Sequence, residues 1–183
     1  MIKKIYILFF IFYSISHAYT IEDLNKLYKN KNFTKACTIS GGLYIKYKNR
    51  EEFLNIFANS CLKSDMINRM ILPIIKLYKT KQARENAAYF STILYEKKML
   101  YYALCDDIDI SYMNLPKTGY ILSKIFDKFV EGKYDKKDGA YWFSDSKNID
   151  IKYKLSIEMD NNIKKMYLRT YKDSKLIKER IYW

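Results

Sequence analysis

The apolar residues of this 183-residue chain change their spacing near Gly132, and this change constrains the fold more than any other feature. Before Gly132 they recur at the spacing of helices that bury one face. After it they alternate with polar residues, as in strands with one buried face. The sequence therefore predicts an α+β fold: antiparallel helical hairpins over residues 19–131, followed by a small C-terminal antiparallel β-meander over residues 132–183 that packs on the helices.

The N-terminus has the pattern of a secretory signal peptide. Two lysines precede the apolar run of residues 5–13, and Ser16 and Ala18 supply small side chains at positions −3 and −1 of a cut before Tyr19. The run is shorter than the ~20 residues of a membrane-spanning helix. We therefore expect residues 1–18 to be removed and the rest of the chain, without a transmembrane span, to be exported to the periplasm. An uncleaved membrane anchor is the alternative.

Signal cleavage would remove the only histidine of the chain, His17. Residues 19–183 have no imidazole for a Ser–His–Asp triad, a His-ligated zinc site or histidine acid–base catalysis. They also lack a glycine-rich phosphate loop and the CxxC and GxSxG motifs. The sequence thus predicts a protein that is not an enzyme, with no cofactor and no metal site. A hydrolase that uses two carboxylates is an alternative, because that chemistry needs no local motif.

The formal net charge of +13 comes from 33 Lys and Arg against 20 Asp and Glu. Only five of these cations are arginines, although arginine is the residue whose planar guanidinium binds phosphate through two parallel hydrogen bonds. The chain is also rich in Ile, Asn and Tyr, which share A/T-rich codons with Lys. The total charge is therefore weak evidence for a polyanion partner, and the position of the charges matters more.

Two stretches of the helical part align without gaps, residues 28–36 and residues 95–103. In both, a tyrosine is followed after four residues by a bulky apolar residue and after two more by alanine. Their offset of 67 residues is about twice 34. Leu62, Ile67 and Met70 occupy the corresponding positions halfway between them. A 34-residue period of paired helices resembles the tetratricopeptide repeat.

This resemblance covers residues 21–108 and implies three helical hairpins, near residues 21–47, 51–79 and 82–108, with each motif at the turn of a hairpin. Helical-repeat proteins offer extended concave surfaces to their partners. The resemblance therefore implies a non-enzymatic protein-interaction or scaffold module with an unknown protein partner. The alternative is a plain helical bundle in which the spacing is coincidental.

The cysteines offer a geometric test of the helical hairpins. Cys37 and Cys61 each lie 12 residues from Asn49, which is predicted to lie in the turn between neighbouring helices. Positions equidistant from such a turn lie opposite each other in an antiparallel pair. We therefore predict a Cys37–Cys61 disulfide, which an exported protein can form. Cys105 has no predicted partner.

The C-terminal part predicts a four-stranded meander that begins with a strand at Ala140–Ser144. Asn161–Asn162 is a predicted two-residue turn, because asparagine tolerates positive φ. A second turn is predicted at Asp173–Ser174. The predicted opposite residues are Ile157 with Met166, Leu155 with Leu168, Ile177 with Thr170 and Ile181 with Met166, and these residues share one apolar face with Trp183.

The other face of the predicted meander interleaves cations with aromatic side chains. Such a surface suits an anionic envelope polymer or single-stranded nucleic acid, which is the alternative to a protein partner. The candidate binding residues are Lys152, Lys154, Lys165, Tyr167, Arg169, Tyr171, Lys178, Arg180 and Tyr182.

Overall fold

The structure, a computed structural model, describes residues 19–183. The predicted signal peptide falls on residues 1–18 and lies outside the described residues. The helices are α1 (Ile21–Lys29), α2 (Phe33–Tyr47), α3 (Glu51–Lys63), α4 (Ile71–Lys76), α5 (Lys81–Asp106) and α6 (Ile121–Val130), with a 3-10 helix at Ile67–Met70. The strands are β1 (Asp135–Lys137), β2 (Ala140–Ser144), β3 (Ile151–Asp160), β4 (Ile163–Lys172) and β5 (Lys175–Tyr182).

This order of elements confirms the predicted α+β architecture, with helices first and an antiparallel sheet at the C-terminus. The sheet has five strands in the order β1-β2-β3-β4-β5, one more than the predicted four, because β1 pairs with β2 through residues 135–137. Between residues 19 and 183, no helix combines the length and apolar character needed to cross a bilayer.

Local capping determines where two of the helices begin. The Thr20 side chain accepts a hydrogen bond from the Asp23 main-chain N–H at 3.2 Å, and the Asp23 carboxylate accepts one from the Thr20 N–H at 3.0 Å. This reciprocal capping box satisfies two donors that the first turn of α1 leaves free. Thr80 caps α5 in one direction only, because its side chain accepts a 3.1 Å hydrogen bond from the N–H of Ala83, which has no side-chain acceptor to return.

The predicted third hairpin is wrong. Residues 82–108 lie mostly in α5, a single helix of 26 residues, so the motif at residues 95–103 is part of a continuous helix and not a turn. The physical reason is that α5 contains neither glycine nor proline to end it, and it stops only where Asp107 adopts a left-handed conformation with φ 54°. The first hairpin does form, as α1 and α2 around a turn at residues 30–32.

The predicted disulfide is confirmed. Cys37 of α2 and Cys61 of α3 are fully buried, and their sulfur atoms are 2.03 Å apart across a sequence separation of 24 residues. The bond cross-links two neighbouring helices and belongs to the same buried core cluster as Phe53 and Phe57. Cys105 is a free, partly buried thiol.

The predicted register of β3 against β4 is confirmed. Ile157 lies opposite Met166 and Leu155 opposite Leu168. The turn residues Asn161 and Asn162 have φ values of 50° and 61°, which asparagine adopts more readily than most residues. Leu155, Met166 and Leu168 are buried against the helical core, so this face of the sheet is the inner face.

The predicted register of β5 against β4 is wrong beyond the turn. A β-bulge at Thr170 and Tyr171 shifts the pairing by one residue, so that Thr170 faces Lys178 and Met166 faces Tyr182. A shift of one residue moves each following side chain to the opposite face of a strand. Ile177 and Trp183 are therefore exposed and Tyr182 is buried, the reverse of the prediction.

The bulge can be tested at Ile177, whose side chain is 53% exposed. We expect Ile177→Lys to change the free energy of unfolding by no more than about 0.5 kcal/mol, as is usual for exposed positions. Urea unfolding followed by circular dichroism measures this change. A loss above about 2 kcal/mol would mean that Ile177 faces the core, because burial of an unpaired lysine is costly.

Candidate functional site

Six of the nine candidate binding residues lie together on the outer face of the sheet. Cross-strand pairing sets Lys152 beside Tyr171 and Lys154 beside Arg169. The six are Lys152, Lys154, Lys165, Tyr167, Arg169 and Tyr171. The remaining three, Lys178, Arg180 and Tyr182, follow the bulge and lie on the opposite side of the sheet.

Acidic side chains neutralise much of the charge on the outer face. Arg169 donates to both carboxylate oxygens of Glu158, with its Nη2 at 2.9 Å from Oε2, and its Nε lies 2.6 Å from Oε2 of Glu179. Lys165 pairs with Asp160 at 2.6 Å. The hydrogen bond from Arg169 holds the pKa of the Glu158 carboxyl below its usual range. Four cations therefore face three carboxylates, and the surface is far less basic than the sequence suggests.

The three other candidate residues join the sheet to the helices at Asp65, which follows α3. Its carboxylate lies 3.1 Å from the Lys178 Nζ and 3.0 Å from the Arg180 Nε, and it accepts a 2.6 Å hydrogen bond from the Tyr120 hydroxyl. The hydroxyls of Tyr120 and Tyr182 are 3.1 Å apart. Burial raises the pKa of both tyrosines well above its usual range. These contacts are structural, and we call them the Asp65 junction.

Lys97 of α5 makes a second connection between the helices and the end of β5. Its side chain is buried, and its Nζ donates to Oδ1 of Asn68 and to the main-chain oxygen of Trp183. Burial lowers the pKa of the Lys97 ammonium to about 8. Lys97 also lines a cleft of about 460 Å³ between the 3-10 helix and β5. Both acceptors of Lys97 belong to the fold itself, which assigns the lysine a role in holding β5.

A cleft of about 560 Å³ lies at one end of the sheet and is called the sheet-end cleft. Trp142 and Tyr171 contribute aromatic rings whose centroids are 5.5 Å apart. Of its lining residues, the sequence identified only Lys152 and Tyr171. Asp135, Lys137, Trp142, Asp150 and Asp173 also line the cleft.

A second surface that the sequence did not identify surrounds α4. Leu72 and Ile75 are exposed one turn apart, Ile75 by 66%. The Tyr44 hydroxyl of α2 donates to the Leu72 main-chain oxygen at 3.3 Å, so the end of α2 lies beside α4. The exposed apolar residues that form this α4 patch are Ile45, Ile71, Leu72, Ile75 and Tyr78. The sequence predicts residues 51–79 as one helical hairpin, and that prediction does not indicate which apolar side chains are exposed.

Within residues 19–183, no group of three or more His, Cys, Asp or Glu side chains is arranged to hold a metal ion. The buried acid Glu96 of α5 lies in the core, where Ser123 of α6 donates a hydrogen bond to its carboxyl group. No family model, no curated protein and no solved structure matches this chain.

Proposed function

We propose that this protein is a non-enzymatic interaction module that binds a partner protein through the α4 patch. The observation that carries the proposal is the exposure of four large apolar side chains, Ile71, Leu72, Ile75 and Tyr78, within eight consecutive residues. Apolar side chains that are exposed together on a soluble domain are typical of protein-interaction sites.

The surroundings of the α4 patch indicate the chemistry of the partner. Lys46, Arg69, Lys76 and Lys79 lie close in sequence to the apolar residues of the patch. Arg69 is exposed, and its guanidinium lies close to α2. Its Nη1 is 4.0 Å from the position that a Cβ atom at Gly41 would occupy. An apolar centre with a polar rim is the usual composition of an interface. We therefore expect a partner surface with apolar side chains at its centre and acidic residues around them.

Export of the protein is part of this proposal. The signal-peptide pattern of residues 1–18 supports it. The Cys37–Cys61 disulfide supports it as well, because such bonds persist in oxidising compartments and are rare in the cytosol. Of the three hairpins that the tetratricopeptide resemblance implies, the first has the ring centroids of Tyr28 and Phe33 5.5 Å apart across its turn.

The two alternative functions have less support. Binding of a polyanion through the outer face would have to compete with Glu158, Glu179 and Asp160, which already pair with Arg169 and Lys165. A carboxylate-dependent hydrolase would need a general acid held in an apolar pocket. The three carboxylates of the sheet-end cleft are exposed.

The proposal can be tested by capture of the partner with matched variants. The tagged protein is used to isolate binding proteins from cells that produce it, at low and high salt. We expect the double variant Leu72→Gln/Ile75→Gln to reduce recovery of the partner at least tenfold, because it removes the apolar centre of the patch and keeps residues that favour a helix.

Met159→Gln is the matched control, because Met159 is also 66% exposed and lies on the sheet. It should leave recovery of the partner unchanged. Equal recovery with the double variant and the wild type would contradict the proposal. A loss of recovery at high salt with no effect of the double variant would favour the charged surfaces instead.

A further inference from the structure

We propose that the sheet-end cleft is a binding site for a neutral saccharide chain. The cleft lies on the sheet, and the α4 patch is formed by helices, so the two proposals stand on separate observations. The volume of about 560 Å³ lies within the range of about 300–1,000 Å³ typical of small-ligand sites.

Two aromatic rings line this cleft. Trp142 on β2 and Tyr171 on β4 lie on either side of β3, with centroids 5.5 Å apart and ring planes inclined at 37°. Both side chains are half-buried, and both sit on strands, which hold them more firmly than a loop would. Aromatic faces of this kind pack well against the C–H faces of sugar rings, because they combine a large apolar area with a polar edge.

Both negatively and positively charged side chains surround the two rings. Asp135, Asp150 and Asp173 supply carboxylate acceptors, and Lys137 and Lys152 supply ammonium donors. Among the described residues, none of these five side chains forms a hydrogen bond or an ion pair, so all five are free to bind a ligand. Hydroxyl groups both donate and accept hydrogen bonds, and a saccharide can therefore use both kinds of group.

The balance of charge argues against charged ligands. Three carboxylates oppose a polyanion, although the chain as a whole has a net charge of +13. An organic cation would meet two lysines of the cleft, and it would also meet Lys154, whose Nζ already lies 5.7 Å from the centroid of the Trp142 ring. A neutral, polyhydroxylated ligand has no net charge for either set of groups to repel.

Hydrogen bonds within the protein hold the walls of the cleft in place. The Asp173 N–H donates to the Asp150 main-chain oxygen at 3.1 Å, which ties the β4–β5 turn to the loop before β3. In that loop, the Asp145 carboxylate accepts hydrogen bonds from the N–H groups of Lys147 and Asn148 at 2.8 and 3.0 Å, and from the Tyr153 hydroxyl at 2.7 Å. A preformed site loses less conformational entropy on binding.

The test uses the tryptophans of the chain, which are only Trp142 and Trp183. In the variant Trp183→Phe, the fluorescence of Trp142 alone reports the cleft. The probes are chitotetraose and cellotetraose, two neutral tetrasaccharides with and without acetamido groups. We expect a saturable change of fluorescence with at least one of them, and no such change with polyphosphate or choline.

In the same background, Tyr171→Ala should weaken binding at least tenfold and Asp150→Asn at least threefold. Asp150 is exposed, so its replacement leaves the fold intact and keeps the test valid if Tyr171→Ala unfolds. Tyr112→Ala is the control, because Tyr112 is 76% exposed and lies outside the cleft. The proposal would be overturned if neither sugar bound, if polyphosphate or choline bound more tightly, or if Asp150→Asn left the affinity unchanged.

Discussion

Replacement of Glu96 by glutamine should make the protein increasingly more stable than the wild type as the pH rises from 4 to 8. Burial raises the pKa of Glu96 to about 7, the hydrogen bond from Ser123 lowers it, and the charge of Asp127 raises it further. Between the unfolded pKa near 4.5 and the folded pKa near 7, the folded state holds a proton that the unfolded state has lost. The wild type therefore loses about 3 kcal/mol of unfolding free energy across this pH window. The Glu96→Gln variant does not, because its amide does not titrate.

The measurement is urea unfolding of both proteins at several pH values. Glu85→Gln is the matched control, because Glu85 lies on the same helix and is exposed beside Lys81. Its stability should follow that of the wild type at each pH. If the difference between Glu96→Gln and the wild type were the same at pH 4 and pH 8, Glu96 would have an ordinary pKa in the folded protein, and its burial in the core would be contradicted.

Loss of the Cys37–Cys61 disulfide should cost about 3 kcal/mol of unfolding free energy, because the bond closes a loop of 24 residues in the unfolded chain. Both cysteines are fully buried, so alanine is the replacement that adds no polar group to the core. We expect the double variant Cys37→Ala/Cys61→Ala to unfold at a clearly lower urea concentration than the wild type.

Reductant provides the control for this prediction. It should bring the wild type close to the double variant and leave the double variant itself unchanged. Cys105→Ala should change the unfolding midpoint little, because the Cys105 thiol is free and only partly buried. A wild-type midpoint that does not respond to reductant, while the protein is fully oxidised beforehand, would contradict a stabilising cross-link.

The elements that the sequence predicts correctly are those specified by the conformational preferences of a few neighbouring residues. The break at residues 30–32 and the asparagine pair at residues 161 and 162 each specify a chain reversal by their own backbone preferences. The first helical hairpin and the β3–β4 register depend on these two reversals, and the Cys37–Cys61 pair depends on the predicted turn at Asn49. Each of them is found in the structure.

The two predictions that failed did so for different reasons, one local and one non-local. The motif at residues 95–103 is equally compatible with one long helix, and only the absence of a helix-breaking residue favours the helix. The bulge in β5 brings Arg180 into contact with Asp65, which is 115 residues away in sequence. No local sequence pattern predicts this contact. The same bulge moves Glu179 to the outer face, where it neutralises Arg169.

This last change alters the functional interpretation. In the uninterrupted register, Glu179 would share the inner face with Ile177 and Ile181, and the outer face would gain Lys178 and Arg180. In the structure, these two cations bind Asp65. The outer face therefore loses most of its excess positive charge, and the exposed apolar surface of α4 becomes the stronger candidate for a protein interface.

Site-specific photocrosslinking is the most direct test of a protein interface on α4. A photoreactive benzoylphenylalanine is incorporated in place of Ile75 in one protein and of Met159 in another, and both are irradiated in cells. We predict a crosslinked partner at position 75 and none at position 159. Crosslinks at position 159 without any at position 75 would contradict a protein interface on α4.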